Sequence, residues 1–175
     1  MSDVGLFIQV RLSSTSLPEK ALLPLAGRTV IGHVMSALAG LEVSQRVLVT
    51  DGESASRLAV EAELYGYSVF PGDPDDVLHR FCRAAERYKV SHIVRATGDN
   101  PLTSCVVAGQ ALELALASGA DYAGITGTPY GTGVEVIRTG ALLELEQTTT
   151  EQYEREHVTP GLYRRPHRYL SLIHI

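Results

Sequence analysis

Short apolar runs alternate with amphipathic stretches along most of the chain. Residues 4–10, 46–50, 68–70, 92–96, 121–125 and 134–137 read as strands, and residues 169–175 form one more strand-like run. Between them the period changes. Val77, Phe81, Ala84 and Tyr88 fall on one face of a helix, and Val107, Ala111, Leu114 and Ser118 repeat that spacing. Asp73-Pro74-Asp75-Asp76 predicts a helix start, with Asp73 as N-cap, Pro74 at the first helical position and carboxylates favoured by the helix dipole. Near-continuous apolar strands alternating with helices predict an α/β fold with a mostly parallel sheet covered on both faces. Ligands of such sheets collect at the carboxyl ends of the strands.

Two polar segments fall at those ends. Arg11-Leu12-Ser13-Ser14-Thr15-Ser16-Leu17-Pro18-Glu19-Lys20 follows the first strand, and Thr97-Gly98-Asp99-Asn100-Pro101 follows the fourth. A basic residue at either end of a run of hydroxyl side chains suits a loop wrapped around phosphate. The same pattern also fits a plain polar connection from strand to helix. Asp99 suits a hard cation such as Mg²⁺, which takes one or two carboxylates together with substrate phosphates. It equally suits a turn aspartate bonding its own backbone. Gly98 is expected for an unusual backbone angle and Pro101 for a fixed exit. If the first and fourth strands are neighbours, both loops face one crevice, and the pair of signals points to a nucleotide-handling enzyme. The loop lacks Gly-x-Gly-x-x-Gly and a Gly-Lys-Ser/Thr ending, which disfavours dinucleotide oxidoreductases and P-loop NTPases.

Composition narrows the partners. The 175 residues suit one domain with a substantial core, and 45% hydrophobic with 20% charged residues is a globular balance. A net charge of −5 with mixed signs lacks the basic stripe that nucleic acid requires, whereas a small anion needs only a local basic pocket. No apolar run approaches the roughly 18–20 residues of a membrane span, and the N-terminal Met-Ser-Asp-Val lacks the basic start of a secretory signal, so a cytoplasmic location is expected. Cys82 and Cys105 read as buried free thiols without metal-type spacing.

Read in order, residues 8–22, the stretches Pro24-Leu25-Ala26-Gly27 and Val49-Thr50-Asp51, Arg95 to Leu102, Gly133-Val134-Glu135-Val136 and Arg155-Glu156-His157-Val158-Thr159-Pro160 resemble the cytidylyltransferases that make CMP-activated sugars. These are the CMP-Kdo and CMP-sialic acid synthetases and, above all, the spore coat polysaccharide branch. The resemblance implies a three-layer, Rossmann-like nucleotide-diphospho-sugar transferase fold spanning 1–175 as one domain, with about 126–175 shaping an acceptor site and a dimer contact. It implies CTP and a small sugar or acidic acceptor as substrates, Mg²⁺ as cofactor and a homodimer. Lys20, Arg11 and Asp99 would be catalytic. Arg11, Ser13, Ser14, Lys20, Thr50, Asp51, Arg80 and Thr97 would hold the nucleotide, with simple capping the other reading of Thr50 and Asp51 and a solvated surface the other reading of Arg80. Asp99, helped by Glu135, would hold the metal. Tyr130, Glu135 and His157 would face the acceptor.

Some positions depart from that pattern. Ser16 stands where the family has a second arginine, and Glu19 replaces a glycine, setting negative charge beside a polyanion site. Gly133 replaces an aspartate, and a late metal-binding aspartate segment has no counterpart in these residues. These departures motivate a second reading, a catalytically degenerate nucleotide-binding homologue with a regulatory or assembly role. The cluster Arg164-Arg165-Pro166-His167-Arg168 is expected on a solvated surface or at a dimer contact.

Overall fold

Seven strands pair into one sheet in the order β5-β4-β1-β6-β8-β7-β9, in a computed structural model that describes residues 3–13, 17–129 and 131–174. The strands are β1 (Val4–Gln9), β4 (Gln45–Asp51), β5 (Ser68–Gly72), β6 (His92–Thr97), β7 (Tyr122–Ile125), β8 (Glu135–Arg138) and β9 (Ser171–His174). Only β8 runs antiparallel to its neighbours, β6 and β7. A two-stranded hairpin, β2 (Pro24–Leu25) and β3 (Arg28–Thr29), stands apart from the sheet. Its turn places Ala26 at φ 46° and Gly27 at φ 85°, the positive angles that a tight hairpin requires.

Strand alternation sends side chains into two layers. Leu6, Ile8 and Val10 pack with α1 (Val30–Ala37), α2 (Gly52–Leu64) and α4 (Cys105–Ser118). Phe7 points the other way, toward α3 (Val77–Tyr88), α5 (Thr139–Thr148) and the short α6 (Gln152–His157) and α7 (Pro160–Tyr163) beyond it. Its ring lies 6.2 Å from that of Phe81. Leu6, Phe7 and Ile8 are fully buried, as expected of a central strand covered on both faces. The expected three-layer α/β fold is the observed one.

The chain moves outward from β1 through β4 to β5, then crosses back over β1 to begin β6 on its other side. The sheet therefore reverses direction between β1 and β6, which pair in parallel from Val4↔His92 to Gln9↔Thr97. The loops leaving these two strands diverge and open a crevice, the place where doubly wound sheets bind ligands.

Several local expectations change. Helix α3 starts at Val77, with Asp76 rather than Asp73 as its N-cap, accepting from the His79 amide at 2.9 Å. Asp73 instead closes the preceding turn, accepting from the Asp75 and Asp76 amides. Gly98 does not adopt a positive φ. A Cβ there would lie 2.8 Å from both Val10 Cβ and Ile31 Cδ1, so glycine is required for close approach. Cys82 is buried, but Cys105 is only partly so. The arginine cluster does lie largely on the surface, with Arg164, Pro166, His167 and Arg168 exposed. Arg165 pairs with buried Glu154 at 2.8 Å, Arg168 with Glu144 at 2.7 Å, and Arg164 lies over the Tyr153 ring.

Candidate active site

The loop after β1 is shaped from its root. Asp51 caps α2 by accepting from the Ser54 amide at 2.8 Å and the Ser54 hydroxyl at 2.9 Å. The Ser54 hydroxyl oxygen in turn accepts from the Leu12 amide at 3.0 Å. Glu19 N–H closes the loop onto the Leu12 carbonyl at 3.0 Å, and a single turn of 3₁₀ helix (Lys20–Leu22) follows. This closure brings Lys20 back toward β1.

Lys20 then meets Asp99 across the crevice, Nζ to Oδ2, at 2.5 Å. Burial by itself would raise the Asp99 carboxyl. The Lys20 hydrogen bond and charge, with help from backbone and the Thr97 hydroxyl, outweigh it and hold the group below the usual aspartate range. Both residues line a cleft of about 380 Å³ together with Gln9, Arg11, Arg95, Thr97 and His157. The two segments proposed from sequence to share one crevice do so.

Two further hollows continue this cleft. One, of about 400 Å³, shares Gln9, Arg11 and His157 and adds Arg80. Arg80 is 1% exposed, not a solvated helix arginine. Its Nη1 donates to the Asp73 carbonyl at 2.7 Å, while Nε is buried without a partner among the described residues. Gly72 makes the space, since a Cβ there would lie 2.7 Å from Arg80 Cγ. Burial weakens the hold of Arg80 on its proton; Asp51 opposes that and the Arg11 charge adds to it. Two guanidinium groups thus flank this end of the cleft. The other hollow, of about 370 Å³, shares Arg95 and Thr97 and extends to Glu135 and the loop before β8.

The remaining predicted residues divide. His157, on α6, packs at a tilt against Tyr153 with ring centres 4.3 Å apart and lines the Lys20 and Arg80 parts of the cleft, away from the Glu135 part. Ser13 is exposed on the loop. Ser14 and Tyr130 lie outside the described residues, as does Ser16. Asp51 shows the capping alternative, committed to Ser54 at the start of α2, and Thr50 is fully buried at the end of β4. Glu135, expected to assist the metal, forms an ion pair with Arg95 and accepts from the hydroxyls of Tyr122 at 2.9 Å and Thr159 at 2.8 Å. Its oxygens already have partners. Asp99 therefore fits a divalent cation as a single carboxylate whose other ligands come from substrate phosphates, and Glu135 does not fit that role. Among the described residues no three His, Cys, Asp or Glu side chains gather into a metal site of their own.

Glu19 has its own counter-charge. Its carboxylate is held in a two-pronged pair by Arg57 of α2, one prong at 2.9 Å. Its φ of 55° is the left-handed conformation that glycine adopts more readily. Gln9 and Arg95 were not singled out as site residues from sequence. Arg95 Nη2 donates to Gln9 Oε1 at 2.7 Å, and both line the cleft. An arginine inside an otherwise apolar strand was the signal available.

A basic loop facing an aspartate at the switch point of a Rossmann-like sheet suits the binding of a nucleotide's phosphates, as nucleotidyltransferases require. The chain belongs to the cytidylyltransferase family, whose model matches residues 6–175. It is 31% identical to the spore coat polysaccharide biosynthesis protein SpsF of Bacillus subtilis over 94% of this chain and 74% of that one. A solved cytidylyltransferase from Leptospira borgpetersenii superposes with a TM-score of 0.92 at 26% identity, covering 99% of this chain and 76% of that one. The CMP-Kdo synthetase structure complexed with CTP shares the fold at a TM-score of 0.78 and 14% identity, covering 99% and 90% of the two chains.

Proposed function

We propose that this chain transfers CMP from CTP to a hydroxyl of a small sugar. The acceptor hydroxyl oxygen bonds to the α-phosphorus as its proton passes to solvent, the α–β phosphoanhydride bond breaks, and pyrophosphate leaves carrying the electron pair. The observation that carries this reading is the Lys20–Asp99 contact at the mouth of the β1–β6 crevice. Lys20 and Arg11 supply fixed positive charge where the triphosphate is drawn in and where negative charge builds on the departing pyrophosphate. Arg80 and Arg11 flank one end of the cleft, and the hollow toward Glu135 gives an acceptor room beside Thr97. Alignment of two bound reactants in adjoining spaces supplies much of the rate. Asp99 would hold Mg²⁺ together with substrate phosphates, and such a cation, when bound, neutralises phosphate charge. A dimer and a cytoplasmic location follow the family resemblance and the use of CTP; no helix among the described residues is long and apolar enough to cross a membrane.

The Arg57–Glu19 pair removes one reason to think the site degenerate, because the added carboxylate already has its counter-charge. Titration of CTP with and without Mg²⁺, followed by a pyrophosphate-release assay over a sugar panel, tests the reading. Release that depends on the acceptor and is lost in Lys20→Ala is expected. CTP binding without turnover over the whole panel would favour the non-catalytic homologue.

A further inference from the structure

Gln9 stands where the three spaces of the site meet. It lines both the Lys20 cleft and the Arg80 hollow. It is also hydrogen-bonded to Arg95, which lines the Lys20 cleft and the hollow toward Glu135. In a transfer reaction the attacked phosphorus must be reached from the nucleotide's side and from the acceptor's, so it belongs at such a junction.

The Gln9 amide has a fixed sense. Arg95 Nη2 donates to Gln9 Oε1 at 2.7 Å. A guanidinium carries donors and no acceptor, so the carbonyl end of the amide must be the one that faces it. Gln9 Nε2 has no hydrogen-bond partner among the described residues and is the end left for the cleft. Arg95 is itself held: Nη1 pairs with Glu135, the guanidinium lies 5.8 Å from the centre of the Phe81 ring, and the side chain is 11% exposed. Glu135 is anchored in turn by the Tyr122 and Thr159 hydroxyls. Arg11 lines the same two spaces as Gln9. A preset N–H donor beside a cation suits an anionic oxygen better than a neutral carbonyl.

We propose that Gln9 is a catalytic residue that donates from Nε2 to a non-bridging oxygen of the α-phosphate, with Arg95 as the positioning residue that aims it. The inference rests on the transferase reading above. No bond to Gln9 forms or breaks. Its N–H meets the charge that builds on that oxygen as the acceptor oxygen arrives and pyrophosphate departs, and a dipole already aimed needs no reorganisation at that moment.

The test compares cytidine, CMP, CDP and CTP in EDTA, titrated by calorimetry or, for weak members, by ligand-observed NMR, on the wild-type and Gln9→Met full chains. A contact at the α-phosphate predicts about a five- to tenfold loss of affinity for CMP, CDP and CTP alike and none for cytidine. A loss shared by cytidine, a loss confined to CDP and CTP, or no loss overturns the proposal. Arg95→Met should weaken the same three ligands, and Arg95→Met combined with Gln9→Met should bind CMP no more weakly than Gln9→Met alone. Additive losses, which a merely structural role would give, overturn the positioning role. With an acceptor that supports turnover, Gln9→Met should lower kcat about 10²-fold while KM for CTP rises only as Kd does; an unchanged kcat overturns the catalytic role. One measurement needs no variant and decides if none folds: the Gln9 side-chain N–H proton of the wild type should move downfield with CMP and stay in place with cytidine, and no such difference overturns the proposal. A wild type that binds no CTP removes the transferase reading and this inference with it. CTP binding with cytidine and CMP equally affected contradicts this inference alone.

Discussion

Replacing Asp99 by Asn should tighten the binding of metal-free CTP, although the same change should cripple transfer. In the unliganded protein Lys20 is engaged with Asp99, and the two side chains are 36% and 40% exposed. An ion pair that open to solvent contributes about 0.2–1 kcal/mol, which phosphate must displace to reach Lys20. The Asp99 charge also repels the triphosphate, by roughly 1 kcal/mol for like charges 4 Å apart in water. Removing both effects is worth roughly 1–2 kcal/mol, a five- to thirtyfold lower Kd. Calorimetric titration of CTP in EDTA at low ionic strength measures it, and the gain should shrink at high salt as the repulsion is screened. With Mg²⁺ present the sign reverses, because Asn is the poorer ligand, and turnover should fall about 10²–10³-fold. Metal-free CTP binding no tighter in Asp99→Asn than in the wild type would refute the idea that the phosphates must open this contact.

Three further outcomes follow from the same geometry. Arg57→Ala leaves the Glu19 carboxylate without its partner beside the phosphate loop; CTP affinity should fall a few-fold at low salt and recover at high salt, read by the same titration. Gly98→Ala sets a methyl 2.8 Å from Val10 Cβ and Ile31 Cδ1, and should destabilise the fold by about 1–3 kcal/mol, lowering Tm by roughly 2–12 °C in a thermal melt. The Asp99 carboxyl is depressed below its unfolded value, so its stabilising contribution is complete above the unfolded pKa and disappears as pH falls through the folded one. Lys20→Met should therefore raise the Asp99 pKa and move that loss to higher pH, which carboxyl carbon chemical shifts across an acid titration will show.

Much of the architecture was legible along the chain because strand and helix periods are local. Central strands such as β1 are covered on both faces and read as unbroken apolar runs, whereas the two-residue strands of the β2–β3 hairpin are too short to carry a period. The start of α3 differs because three aspartates fall within four residues: Asp73 closes the preceding turn, Asp76 caps the helix, and Arg80 donates back to the Asp73 carbonyl. Arg80 itself reads as a surface position on an amphipathic helix. Only the glycine at position 72 and the neighbouring strand show that its stem is enclosed.

The sequence by itself determined the alternation of elements, the placement of Arg11, Lys20 and Asp99 at strand ends, and the family resemblance. Tertiary structure alone decided which charges meet. Lys20 finds Asp99 79 residues away, Arg57 finds Glu19 across 38, and Glu135 finds Arg95 across 40. Such pairings have no local period to announce them. They exist because strand order and register set the ends of β4, β1, β6 and β8 side by side, and a charge acts through distance in space rather than along the chain.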